Sequence, residues 1–380
     1  MPGHLNTRIA ALVAVVVLAS AVVATDDGAA HQLVQAPPIS LGTSGGNAQD
    51  GNNLFCCSGT LGALVTKDGQ RYILSANHVL ARNGYAGGGE EIIQPGLIDS
   101  SCSATGTDHV ADFAEAPPLG TANVDAGIAS VVPGMVDFQG TILDIGIPAS
   151  TPATPSVGQG VAKSGRTTGL TCDAVTSVDT TVSVDYTTAC GTGTTYSVSY
   201  TNQILIKGPK FSAAGDSGSL IVDSSTAQPV GLLFAGSTSI TVANPIQDVL
   251  SALGVQVVGG EMHPIACPVN GKRTRPNGLG SPRAQQAKEK YARQIMLDPA
   301  VMAVGVGSDD ETGEAVVAIF VEQGRAHRDI PAEFDGVRTK VYVSDRIRAY
   351  GWNEPQRNAC HSSRKPGLAA NDELKSGLLY

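Results

Sequence analysis

The sequence predicts a mainly β protein with a small α+β unit at its C-terminal end. Glycine is abundant, at 45 of 380 residues, while aromatic residues make up only 4%; short strands joined by tight turns need this balance. Residues 175–184 and 196–200 alternate Val or Tyr with Ser and Thr, the period of a half-exposed strand. Helical spacing shows at two places, opening at Asn244-Pro245 and at Ser281-Pro282.

The chain is too long for one ordinary domain and fits two plus extensions. Hydrophobic residues at 42% are ample for buried cores. A net charge of −9 argues against a nucleic-acid binder, which needs a basic face. That charge is unevenly spread: residues 25–265 hold 7 Lys and Arg, and residues 266–380 hold 17. Such a shift marks a domain boundary.

Residues 1–24 read as a secretory signal, with Arg8, an apolar run over 9–19 and the small-residue site Val22-Val23-Ala24. The chain is therefore expected to be secreted or periplasmic, without a stable membrane span after cleavage. In that setting the seven cysteines favour disulfides, and the odd count leaves at least one outside intramolecular pairs. Spacing points to Cys172–Cys190, and to Cys102 with Cys56 or Cys57.

In chain order, residues 25–52 are Gly, Asn, Gln and Pro-rich and read as a loose lead-in. Residues 59–65 are strand-like, 67–70 form a turn, and 71–75 form a strand running into Ala76-Asn77-His78. Residues 83–122 are rich in Gly, Pro and Asp, with one strand signal at Glu91-Ile92-Ile93. Asp125 follows in a small apolar segment. Residues 158–170 make a strand, turn and strand, whose Arg166 is expected to be an exposed turn residue more than a substrate contact. Residues 220–222 and 229–236 form a hairpin, and a short helix runs through Ile246, Val249, Leu250 and Leu253.

Residues 259–281 read as a linker. A helix with Ala287, Tyr291 and Ile295 on one face follows, then strands over 301–306, 315–321 and 337–343. This unit, 282–352, is expected to be a separate accessory module meeting the rest through few contacts. Residues 353–380 read as a polar tail.

Gly215-Asp216-Ser217-Gly218-Ser219 carries the chemistry. A serine between glycines ahead of a strand presents its hydroxyl on a sharp loop. That hydroxyl is a poor nucleophile until a base takes its proton. Upstream, His78 ends a strand, and Asp125 lies between the two. The order His78, Asp125, Ser217 resembles the trypsin/chymotrypsin-like serine peptidases. Leu74-Ser75-Ala76-Asn77-His78-Val79 is similar to that family's histidine motif, and the Gly215–Ser219 stretch to its serine motif; the likeness covers roughly residues 53–258.

The resemblance implies two six-stranded antiparallel β-barrels over 53–258, chymotrypsin-like, the second starting near Val136. It implies a secreted serine endopeptidase acting on proteins or peptides, with no metal and no cofactor. His78 would be the base, Asp125 the orienting acid and Ser217 the nucleophile, with the N–H groups of Gly215 and Ser217 as oxyanion hole. Asp108 and Asp112 are rival acids, placed second because a strand holds a buried acid better than a polar loop. A catalytically silent protease-fold binding or adhesion protein is the alternative; it would lack a triad residue, and none is missing.

No Ile-Val-Gly-Gly start is present for cleavage to free, which leaves the partner of Asp216 open; Ser219 stands where many members have glycine. Phe211, six residues before Ser217, stands where trypsin-type members carry an acid. No histidine occurs between His109 and His263, against a histidine-assisted glutamyl pocket, so an apolar or small substrate side chain is expected. His263, Cys267, Cys360 and His361 bracket the C-terminal module. A Cys267–Cys360 disulfide is favoured there over a zinc site, whose standard spacings they do not match, and unpaired cysteines are the remaining alternative.

Overall fold

The computed structural model describes residues 28–52, 55–267, 282–309, 311–349 and 362–364. The first barrel closes because one strand bends at Gly62. Gly59–Leu61 pairs with Thr43–Asn47, while Ala63–Lys67 pairs with Gln70–Ser75 at the other end of the sheet. The bent strand thus joins both ends of a ring completed by Glu91–Gln94, Asp108–Glu115 and Gly127–Val131. A Cβ at position 62 would stand 1.9 Å from the Gly218 carbonyl oxygen, so the bend lies directly against the Ser217 loop. The second barrel closes as six strands: Gly160–Gly165, Gly169–Ala189, Thr192–Lys207, Ile240–Pro245, Pro229–Gly236 and Leu220–Asp223. Val161, Val175, Ile206, Phe211 and Leu233 fill part of its interior. The helix Ile246–Leu253 follows, and Gln256–Val257 returns the chain to the first sheet beside Ala63–Lys67.

The lead-in differs from expectation. Thr43–Asn47 is a fully buried strand of the first barrel. Its TSGGN sequence carries no apolar alternation because small residues are what fit: a Cβ on Gly45 would fall 2.4 Å from the Leu61 side chain. Just before it, His31 is held between the Gly42 carbonyl at 2.7 Å and Asp144 at 2.8 Å.

The C-terminal module has the expected parts, with helix Pro282–Ile295 and strands Val301–Ser308, Ala315–Glu322 and Val337–Ser344. It is not set apart by few contacts. Val301–Ser308 pairs with Gly169–Ala189, matching Ser177 to Gly307 and Val182 to Ala303, so the module's strands extend the second sheet. One face of these strands packs under the helix through Ala284, Ala287, Val304 and Ile319. The other face, with Met302, Phe320 and Tyr342, joins the main core around Tyr186 and Tyr200. Edge pairing uses backbone groups, which leave no mark in composition. Within the stretch read as a polar tail, Ser362–Arg364 pairs antiparallel with Phe55–Cys57.

The disulfides are Cys56–Cys102, Cys57–Cys190 and Cys172–Cys267. The first agrees with expectation, but Cys172 and Cys190 do not pair. They sit near the base and at the tip of one 21-residue extended arm, beyond disulfide reach. Because Cys267 is bonded to Cys172, it neither pairs with Cys360 nor supplies a zinc thiolate. Cys360 and His361, like the proposed signal segment, lie outside the described residues. Among the described residues no helix is long and apolar enough to cross a membrane.

The Cys57–Cys190 bridge closes a 133-residue separation. Replacing both cysteines by alanine should cost on the order of 4 kcal/mol, read as a lower urea midpoint; an unchanged midpoint contradicts this.

Candidate active site

The strand Gln70–Ser75 leads through Ala76 into a single helical turn, Asn77–Leu80, which turns His78 inward. Gly127–Val131 pairs with the same strand, matching Ser75 to Gly127, so the register itself brings Asp125 beside His78. His78 Nδ1 lies 2.9 Å from Asp125 Oδ2, and the His78 backbone N–H donates to Oδ1 at 3.3 Å. The Asp125 N–H donates to Asn244 Oδ1 at 3.0 Å, and Asn244 in turn donates to Gln203 Oε1 at 2.6 Å. Of the rival acids, Asp112 bonds His109 at 2.9 Å. Asp108 lies in the strand pairing opposite Gln94.

Ser217 stands on a loop whose backbone is fixed peptide by peptide. Gly215 has φ +100°, and a Cβ there would fall 2.3 Å from Thr167 Oγ1. The Ala214 carbonyl accepts from Thr167 Oγ1 at 2.7 Å, and the Asp216 carbonyl from the Ser219 N–H at 3.0 Å. In a trans peptide the N–H points away from its carbonyl. These bonds therefore aim the N–H groups of Gly215 and Ser217, neither of which is hydrogen-bonded among the described residues. Ser217 Oγ is buried and makes no hydrogen bond among the described residues.

Asp216, whose partner sequence left open, is fully buried and ringed by donors. The N–H groups of Thr167 and Ala213 reach it at 2.8 and 2.9 Å, and Thr168 Oγ1 at 2.7 Å. The ammonium of Lys163, also fully buried, lies 3.5 Å away and donates to Thr168 Oγ1 and to the Gly169 carbonyl. An internal lysine thus supplies the counter-charge. Arg166, expected to be exposed, is buried and clamps Asp99 through two bonds of 2.6 and 2.7 Å. Its turn folds over the Gly215 loop and buries it there.

Two further features escaped sequence reasoning. Tyr186, from the long arm Gly169–Ala189, donates to Asp125 Oδ2 at 2.8 Å. Its only signal is the period-two pattern of Val182 and Val184 continuing inward to Tyr186. Asp50 faces a cavity of about 130 Å³ lined also by Asn52, Arg82 and Asn83. Burial pushes its pKa up to about 7, against the pull of Arg82 and His78. The sulfurs of Cys57 and Cys190 lie near it, but they are joined to each other and leave no thiolate for a metal.

No family model matches the chain. It is similar to glutamyl endopeptidase 2 of Streptomyces griseus, 28% identical over 199 residues that cover 51% of this chain and 89% of that protein. Among solved structures, a glutamic-acid-specific serine protease with a histidine triad in substrate binding is 23% identical, with a TM-score of 0.40; the match covers 58% of this chain and 100% of that one. Protease A of Thermobifida fusca is 19% identical, with a TM-score of 0.37, covering 55% and 98%. A chymotrypsin of Cellulomonas bogoriensis gives the same identity, TM-score and coverage.

Two outcomes follow for the buried charges. Lys163→Met leaves Asp216 unpaired and should cost about 3–5 kcal/mol, much of it recovered when Asp216→Asn is added; urea titrations giving Lys163→Met wild-type stability would contradict this. The folded pKa of Asp50, about 7, lies above its ordinary 3.8, so the folded state holds the extra proton in between. Its contribution to stability therefore declines as pH rises from roughly 4 to roughly 7, and Asp50→Asn should remove that decline. A wild-type-minus-variant difference that is flat across this window would contradict the assignment.

Proposed function

We propose that this trypsin/chymotrypsin-like, serine-type endopeptidase is exported and cleaves proteins or peptides with Ser217 as nucleophile, His78 as base and Asp125 as orienting acid. The carrying observation is the buried His78–Asp125 contact. The two unspent N–H groups of the Ser217 loop support it. Ser217 Oγ attacks the peptide carbonyl carbon while His78 Nε2 takes its proton, and the carbonyl oxygen gathers charge opposite Gly215 and Ser217 N–H. The tetrahedral adduct collapses as His78 returns the proton to the leaving amine. Water, deprotonated by His78, then hydrolyses the acyl-enzyme. Among the described residues Ser217 Oγ makes no hydrogen bond; in sites of this kind the bond from nucleophile to base often forms fully only when substrate binds.

The curated relative is glutamyl-specific by name. This chain has no histidine between His109 and His263 to assist an acidic side chain. Phe211 brings no carboxylate for a basic one and packs within the barrel core. We therefore read the preferred side chain as apolar or small. One observation favours the silent binding protein instead: Ser217 and His78 are each only 1% exposed.

A fluorophosphonate probe separates the two readings. Labelling mapped to Ser217 is expected, and folded protein that stays unlabelled would support the silent scaffold. Ser217→Ala and His78→Ala should each lower turnover by roughly 10⁴–10⁶, without additivity. Asp125→Asn should cost about 10⁴, and Asp112→Asn should leave turnover near wild type. Among peptides matched except for the residue before the scissile bond, Leu or Ala should be preferred; preference for Glu would overturn the specificity reading.

A further inference from the structure

We infer that Tyr186, backed by Tyr200 and braced by the C-terminal module, positions the Asp125 carboxylate, so that residues 282–349 belong to the working site. This rests on the reading of His78, Asp125 and Ser217 as the reacting set. The hydrogens assign themselves. Asp125 Oδ2 accepts from His78 Nδ1 at 2.9 Å and from the Tyr186 hydroxyl at 2.8 Å. Tyr186 has one proton and spends it on Asp125, so in its 2.8 Å contact with the Tyr200 hydroxyl it accepts. Two donors on one oxygen hold the carboxylate in a single rotamer, with Oδ1 left to the His78 backbone N–H. Burial, and next the charge of Asp125, raise the pKa of Tyr186 well above the phenol range, which keeps it a donor. The titratable groups facing this cluster are His78, Tyr200 and Tyr196, with Asp50 beyond His78.

Tyr186 lies far along a 21-residue arm, and a two-stranded ribbon is marginally stable by itself. The residue beside it is gripped by the module. Arg346 forks onto both Asp185 oxygens at 2.9 and 3.0 Å. The Asp185 N–H donates to the Ile347 carbonyl at 3.2 Å, and the Asp185 carbonyl accepts the Ala349 N–H at 3.0 Å. Four and three residues before Asp185, Thr181 and Val182 pair with Val304 and Ala303. On its other side Tyr186 stacks on Tyr196, with ring centroids 5.7 Å apart. Tyr186 and Tyr200 are positioning residues, since they reach the reaction only through Asp125.

The test uses the full chain with Tyr186→Phe, Tyr200→Phe, Arg346→Ala and Arg346→Lys, each checked for folding. Peptide hydrolysis is followed across pH beside fluorophosphonate labelling. Tyr186→Phe should lower kcat roughly 10- to 100-fold with KM little changed. The acid limb of its pH profile should move to higher pH, because a carboxylate relieved of one donor holds an imidazolium more tightly. Tyr200→Phe should act in the same direction and less. Arg346→Ala should lower kcat about threefold or more, with Arg346→Lys recovering part of it. Folded Tyr186→Phe with wild-type kcat and an unmoved acid limb would overturn the inference. An effect of Tyr186→Phe with none of Arg346→Ala would overturn the module's share. Wild-type protein that neither cleaves nor labels would defeat the reacting set itself, which is a separate result.

Discussion

A charged group with no exposure to water organises this protein. The Asp125 carboxylate is wholly buried, and such a group is tolerated only where donors surround it. Those donors come from separate parts of the chain: the His78 ring and backbone from the first barrel, and Tyr186 from the long arm of the second. Asn244, from the closing strands of the second barrel, fixes the backbone of Asp125. The two barrels therefore meet at one carboxylate, and neither can shift against the other without leaving it short of a partner.

Asp216 repeats the pattern one loop away. It too is fully buried, and it too gathers donors from several segments, with Lys163 as the nearby cation. Lys163 comes from the strand Gly160–Gly165, which also pairs with the strand after Ser217. The loop geometry is thus tied to the barrel wall. The arrangement places a positive group inside the fold at a position that reads, in sequence, as an ordinary strand residue.

Legibility followed range. The hairpin around Asp68-Gly69, the helix at 246–253 and the elements of the C-terminal module are local patterns, and they could be read; of the candidate site, the meeting of His78 with Asp125 could be read too. What escaped depends on partners distant in sequence. Thr43–Asn47 is buried by fit, not by apolarity. Arg166 is buried because Asp99 waits across a loop. The module's docking onto Gly169–Ala189 is made by backbone groups that every residue has. Tyr186 had a faint signal, its place on the inward side of an alternating strand, but nothing in that pattern names Asp125 as its acceptor.

The bridges Cys57–Cys190 and Cys172–Cys267 overlap along the chain. The first encloses His78 and Asp125, the second encloses Ser217, and residues 172–190, with Tyr186 among them, lie inside both. A peptidase at high local concentration is its own nearest substrate, and autolysis begins at loops. Here a single nick anywhere from 58 to 266 leaves every fragment covalently attached to the rest. A molecule cut once in this way keeps His78, Asp125 and Ser217 on one particle, and would run as intact protein until its disulfides are reduced.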